Sequence, residues 1–219
     1  MNPFSPLVEH AVELAAQWHD GTYRKGGWRD PAFERPEGAT AAPRVPVMTH
    51  LTAVALAVQR AGFEDEVVAA AFLHDTLEDE NRHDQRLRSG RLRDAVGEDV
   101  TGLVQIVSEK KLDDEGRRRP WRVRKEEYVA NLGREPAGAV AISLADKLHN
   151  LWTINQSLER DLPVFSGGEN HAGLSAGPEQ QRWFHRAVMR AARRPDDERL
   201  VGLRDRLSAE IERFEDLTT

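Results

Sequence analysis

Cysteine is absent from the 219 residues of this chain. Disulfides, thiolate metal sites and cysteine nucleophiles are therefore excluded, and any metal ion must be held by histidine, aspartate or glutamate. Positive charge is also in deficit, with 31 Lys and Arg against 37 Asp and Glu and a formal net charge of −6. This acidity argues against a nucleic-acid partner, because phosphate backbones select basic surfaces.

Long apolar runs are missing as well. No stretch approaches the ~20 apolar residues of a membrane-spanning helix, so we expect no membrane insertion. The first residues, MNPFSPLVEHAVE, lack the basic and apolar regions of a signal peptide. We therefore expect a cytoplasmic protein. Its hydrophobic fraction of 39% and charged fraction of 31% are typical of a folded globular chain.

What the sequence does contain is helical periodicity along most of its length. Two segments are apolar nearly all round and are expected at the centre of a bundle: EVVAAAFLHDTLEDE after Asp65, and the segment that begins at Pro136. Thr49 is expected to cap a helix over residues 50–61, whereas residues 21–47 have no period and predict a long loop. With no convincing strand, the sequence predicts an all-α bundle with a C-terminal helical extension.

The stretch AAFLHDTLEDE places a histidine and four acids directly after an apolar run. If the helix continues through it, His74 and Glu78 share one face, as do Asp75 and Asp79, because residues four apart are neighbours. An uncompensated carboxylate in apolar surroundings costs several kcal/mol or changes its pKa. A divalent cation removes that penalty, so the stretch predicts a metal site.

Further ligands are expected from isolated polar residues on other apolar helices, and His50 and Asp146 fit that description. Each feature alone has an ordinary explanation: an HD dipeptide arises by chance, and an Asp in an apolar helix is usually paired, here with the adjacent Lys147. Their combination favours a metal. Two imidazoles and two carboxylates suit Mn, Fe, Zn or Ni better than Mg or Ca. The predicted ligands are His50, His74, Asp75 and Asp146, with Glu78 and Asp79 placed to position and deprotonate a water.

Five motifs follow one another in a recognisable order. They are AAQWHDGTYRK (15–25), MTHLTAVA (48–55), FLHDTLEDE (72–80), VGEDVTGLV (96–104) and LADKLHNLWT (144–153). The series resembles the HD-domain metal-dependent phosphohydrolases, and within them the alarmone (ppGpp) hydrolase branch of the Rel/Spo family. H-D-x-x-E-D combined with L-A-D-x-L-H-N is a specific pattern.

The resemblance implies an HD-domain helical bundle over residues 1–160, with residues 161–219 as a loop and helices packed on it. It implies removal of the 3′-pyrophosphate from guanosine or adenosine alarmones, with one Mn²⁺ as cofactor and a small-molecule nucleotide as partner. The implied ligands of the ion are His50, His74, Asp75 and Asp146, and the implied role of Glu78 and Asp79 is to activate the attacking water. The implied substrate-binding residues are Arg24 at the purine, Lys25 at phosphate, Lys147, and Asn150 and Thr153 in the nucleoside pocket.

This chain departs from the family pattern around the expected base and phosphate pockets. RKGG replaces the usual R-K-S-G, and a longer insertion separates it from His50. Two other functions therefore stay open: hydrolysis of another nucleotide, and nucleotide binding by a degenerate regulatory HD module. The basic segment RRRPWRVRK (117–125) is either a solvated surface or a flap that attracts polyphosphate. We expect His19 to be buried and bonded to backbone, and His149 to support a metal ligand.

Overall fold

The computed structural model describes residues 4–24, 45–166 and 173–219. Within these ranges the chain forms eight α-helices and one short 3-10 helix, and no strand beyond two isolated bridges. This confirms the predicted all-α class. The helices are α1 Pro6–Trp18, α2 Val47–Arg60, α3 Asp65–Leu73, α4 Ser89–Val107, α5 Trp121–Leu132, α6 Ala137–Leu158, α7 Pro178–Ala191 and α8 Val201–Leu217, with the 3-10 helix at Glu198–Leu200.

The two segments that are apolar all round lie at the centre, as predicted. Every residue of α3 from Val67 to Leu73 is buried, and α3 contacts α1, α2, α4 and α6. In α6 every residue from Ala139 to Lys147 is buried. The two helices approach closely where α6 begins, because a Cβ added at Gly138 would lie only 2.9 Å from Val67 Cγ2. A helix without a polar face is stable only in such surroundings.

The predicted continuation of α3 to residue 80 is wrong, because the helix ends at Leu73 and the acidic residues follow in tight turns. Two side chains account for this end. His74 Nδ1 bonds to Ala71 O at 2.8 Å, and Thr76 Oγ1 donates to Leu73 O at 2.6 Å. Carbonyls that another helical turn would use are thus occupied by side chains. The four-residue spacing that predicted shared faces does not apply here.

The start of α2 also differs from the prediction. The helix begins at Val47 after Pro46, without a side-chain cap, so Thr49 lies inside the first turn and is not its cap. The entering chain is held by Arg24, whose N–H donates to Val45 O at 2.8 Å. Residues 25–44 of the predicted loop lie outside the described residues.

The C-terminal helices pack on the rest of the bundle. α8 runs along α6, and α7 contacts α5 and α8. The predicted division of the chain at residue 160 stays a prediction. Among the described helices, none combines the length and the apolar character that a bilayer crossing demands.

Candidate metal centre and its cavity

Three distant segments meet at one point. α2 contributes His50, the end of α3 contributes His74, and α6 contributes Asp146, with ligand atoms within 4.8 Å of one another. Asp146 Oδ1 lies 3.1 Å from His50 Nε2 and 3.8 Å from His74 Nε2. Asp75 joins them, with Oδ1 3.4 Å from His74 Nε2 and Oδ2 3.8 Å from His50 Nε2. The fold therefore brings together all four residues that the sequence predicted as ligands.

The hydrogen bonds around His74 test whether a cation fits. Its Nδ1 faces Ala71 O at 2.8 Å and must carry the hydrogen, because a carbonyl only accepts. The buried Nε2 has no hydrogen-bond partner among the described residues and faces Asp75 and Asp146. Burial disfavours a charged ring, yet these two carboxylates raise the pKa of His74. A lone pair aimed at two carboxylates fits a divalent transition metal.

The ring of His50 is oriented by a second histidine. His50 Nδ1 and His149 Nδ1 lie 2.8 Å apart, so one of them donates to the other and His50 Nε2 is directed at Asp146. Such a contact fixes the orientation of a ligating imidazole. His149 thus occupies the supporting position that the sequence predicted.

Asp146 is kept ionised although it is buried. Burial alone would raise its pKa, but Lys147 and the two histidines hold the pKa of Asp146 well below its usual range. Lys147 Nζ pairs with Oδ2, and Asn150 Nδ2 donates to Oδ1. The carboxylate is therefore available to a cation at neutral pH.

Glu78 and Asp79 form an acid pair held by Lys111, whose Nζ lies 3.2 Å from Glu78 Oε2 and 2.7 Å from Asp79 Oδ1. Glu78 Oε1 also accepts the N–H of Glu109 at 2.8 Å. Burial, opposed by the charge of Lys111, raises the pKa of Glu78 to about 7. A carboxylate with that pKa can both take up and release a proton near neutral pH.

Next to the acid pair lies a cavity of about 380 Å³. On one wall Arg24 Nη2 donates to Asn150 Oδ1 at 2.6 Å, and Thr153 Oγ1 donates to Asn150 O at 2.8 Å. These three residues and Lys147, all predicted to bind substrate, line the cavity, whereas the fifth predicted residue, Lys25, lies outside the described residues. Among the described residues, five acidic and four basic side chains line the cavity. A bound divalent cation would change the net charge of this lining from negative to positive.

Sequence reasoning missed the opposite wall, which α5 and α7 form. The one available signal was the basic segment 117–125, which contains Lys125. The wall comprises Trp121, Lys125, Gln181, Phe184 and His185.

The expectation for His19 was half right. The side chain is buried, with 3% exposure. Its ring nitrogens, however, have no hydrogen-bond partner among the described residues, so the predicted bond to backbone is wrong. Burial lowers the pKa of His19, and the negative charges of Asp75 and Asp79 oppose that shift.

Comparisons with known proteins agree with this geometry. Residues 30–164 match the family model described as HD domain. The chain is 31% identical over 148 residues to a GTP pyrophosphokinase of Streptomyces coelicolor, covering 67% of this chain and 14% of the relative. It is 32% identical over 147 residues to guanosine-3′,5′-bis(diphosphate) 3′-pyrophosphohydrolase of Haemophilus influenzae, covering 64% of this chain and 18% of the relative. The chain thus spans less than a fifth of either curated relative.

A solved structure resembles nearly the whole chain. It belongs to a metazoan orthologue of SpoT that is described as hydrolysing ppGpp, with a TM-score of 0.66, 22% identity and 97% of both chains covered. At that identity the likeness establishes the fold.

Proposed function

The chain belongs to the HD-domain family, and on that premise we propose that it is a metal-dependent hydrolase removing the 3′-pyrophosphate from guanosine or adenosine alarmones such as ppGpp. The observation that carries the proposal is one cavity that is lined by His50 and Asp146 of the metal cluster, by the acid pair and by the wall of Arg24, Asn150 and Thr153. The 32% identity to a curated 3′-pyrophosphohydrolase supports the same substrate class.

The proposed cofactor is one Mn²⁺ ion held by His50, His74, Asp75 and Asp146. The mixed nitrogen and oxygen donors support a transition metal, and so does the Nε2 of His74, which has no hydrogen-bond partner in the described part of the chain. When bound, such an ion supplies Lewis-acid activation of the phosphate and a lowered pKa for water.

Glu78 is the proposed general base. Its pKa of about 7 lets it take the proton of the attacking water, and the N–H of Glu109 at 2.8 Å fixes its orientation. Lys111 binds both Glu78 and Asp79, and its positive charge offsets the repulsion between the two carboxylates. For ppGpp the products are pyrophosphate and the nucleoside 5′-diphosphate with a free 3′-hydroxyl.

The nucleoside is proposed to lie against Arg24, Asn150 and Thr153, with the purine at the guanidinium. The 2.6 Å bond from Arg24 to Asn150 supports this, because it joins the wall to the helix that carries Asp146. Lys25 is proposed to meet phosphate. We place the enzyme in the cytoplasm, where such nucleotides occur.

The test is to incubate ppGpp and ppApp with the protein and Mn²⁺, to separate the nucleotides by HPLC and to quantify pyrophosphate and orthophosphate. We expect the 5′-diphosphate nucleotide and pyrophosphate in equal amounts, and no product with EDTA. Turnover of a different nucleotide with orthophosphate release would identify another HD phosphohydrolase. Metal-loaded protein that binds ppGpp without turnover would identify a regulatory module.

A further inference from the structure

The wall formed by α5 and α7 has no part in the metal cluster, the acid pair or the nucleoside wall. Its centre is Phe184, whose ring centroid lies 4.4 Å from Lys125 Nζ and 5.9 Å from Lys147 Nζ. Trp121 also borders it, 5.9 Å from Lys125 Nζ to the ring centroid. Two ammonium groups therefore share one aromatic surface inside the cavity.

Both lysines are costly to bury, and their carboxylate partners are only partly available. The side chains of Lys125 and Lys147 are 15% and 10% exposed. Lys125 pairs with Glu109, but the same carboxylate also binds Arg124 at 2.7 Å, so two cations share one anion. Lys147 pairs with Asp146, a residue of the metal cluster.

The neighbouring histidine does not change this balance. His185 is buried on the same wall, and burial, with the charges of Lys147 and Lys125, lowers the pKa of His185 to about 3. It is neutral at physiological pH. The excess positive charge on this wall is therefore that of the two lysines, and the ligand that such a charge would bind is an anion.

We propose that Lys125, with Lys147 and the Phe184 surface, forms an anion subsite for the 5′-phosphates of the nucleotide. This inference rests on the proposed function, because that function places the 3′-pyrophosphate at the acid pair and the nucleoside at Arg24. The cavity then selects nucleotides phosphorylated at both ends. The aromatic faces do not serve as a base platform here, since the ammonium groups already lie over them.

The test measures binding, so it is independent of turnover. Guanosine, GMP and GDP lack a 3′-phosphate, and their dissociation constants for the Mn²⁺-loaded protein are obtained by calorimetry. We expect GDP to bind about tenfold or more tightly than guanosine, the range of one charge-assisted hydrogen bond. Lys125→Met should lose most of that preference and leave the guanosine constant unchanged, whereas Lys125→Arg should retain it.

Lys110→Met is the matched control. Lys110 lies on the same loop as Glu109 but its side chain is 62% exposed and pairs with Asp114, so its removal should not alter the GDP preference. A second variant, Glu109→Gln, removes the competing carboxylate and should strengthen GDP binding without changing guanosine binding. Because Glu109→Gln should strengthen GDP binding whereas Lys125→Met should weaken it, the proposal stays testable if Lys125→Met fails to fold.

A Lys125→Met protein that keeps the wild-type preference for GDP would overturn the subsite, and so would weaker GDP binding by Glu109→Gln. Failure of the proposed function looks different. In that case ppGpp is not hydrolysed, while the preference for GDP and its dependence on Lys125 persist.

Discussion

Replacement of Glu78 by Gln tests the proposed general base without changing a proposed metal ligand. Glutamine keeps the size of the side chain and can still accept the N–H of Glu109, a bond of 2.8 Å in the wild type. It cannot take a proton. Lys111 loses its 3.2 Å partner but keeps Asp79 at 2.7 Å, so the local structure should survive.

The size of the effect follows from the role of the residue. A positioned general base contributes about 10²–10⁴ in rate, and each factor of ten corresponds to about 1.4 kcal/mol of activation free energy. Because Asp79 remains on the same lysine as a second carboxylate, we expect the lower half of that range for Glu78→Gln. The turnover number should fall about 10²–10³-fold, with little change in KM.

The assay is pyrophosphate release from ppGpp under saturating Mn²⁺, with metal content measured on the same samples. Glu80→Gln serves as the control, since Glu80 lies two residues further on and pairs with Arg86 at the surface. It should behave like the wild type. Near-normal turnover of metal-loaded Glu78→Gln would refute the assignment of the base, and loss of the metal would show that Glu78 belongs to the cluster.

Three further predictions concern charge, metal and substrate. Lys111 holds the pKa of Glu78 down, so Lys111→Met should move the rising limb of kcat/KM against pH to higher pH by about 1 unit or more; an unmoved limb would separate Lys111 from the base. EDTA should abolish activity and lower the Tm by roughly 5–10 °C in the wild type, but not in Asp146→Asn, which lacks a ligand; equal shifts in both proteins would contradict the cluster. Arg24→Ala should raise KM for ppGpp about tenfold with little loss of kcat, because Arg24 contacts Asn150 and not the acid pair; a kcat effect alone would place Arg24 at the chemistry.

The metal cluster could be predicted because the sequence itself shows polar side chains whose burial would be energetically unfavourable. His50, His74 and Asp146 are polar residues in apolar segments, and such residues need compensation wherever the segments go. The fold confirms that all of them are buried. The periodicity of the apolar segments predicted the bundle for the same reason, since each needs other helices to cover it.

The helix end at Leu73 was missed although its cause is local. Thr76 and His74 bond back to carbonyls of the preceding turn, a competition that short polar side chains often win over helix continuation. Asp75 and Glu78 reach the cavity all the same, because the turns that follow the helix keep the segment compact.

The α5–α7 wall could not be predicted by any local rule. Lys125 and Phe184 lie 59 positions apart, and their contact depends on how α7 docks on α5. Lys111 likewise meets Asp79 across 32 positions, in a loop without periodicity. The charge of the segment 117–125 left open whether it is a solvated surface or a flap that attracts polyphosphate, and only the packing of the helices shows that Trp121 and Lys125 line the cavity.

The charge of the cavity connects its two ligands. With every lining side chain of the described residues ionised, five acids face four bases, so the cavity is slightly negative and repels a polyphosphate. A divalent cation at the His–Asp cluster turns this surplus positive, and a nucleotide carrying several negative charges is then attracted. On the proposed function, we therefore expect the nucleotide to bind more tightly to the metal-loaded protein than to the metal-free protein.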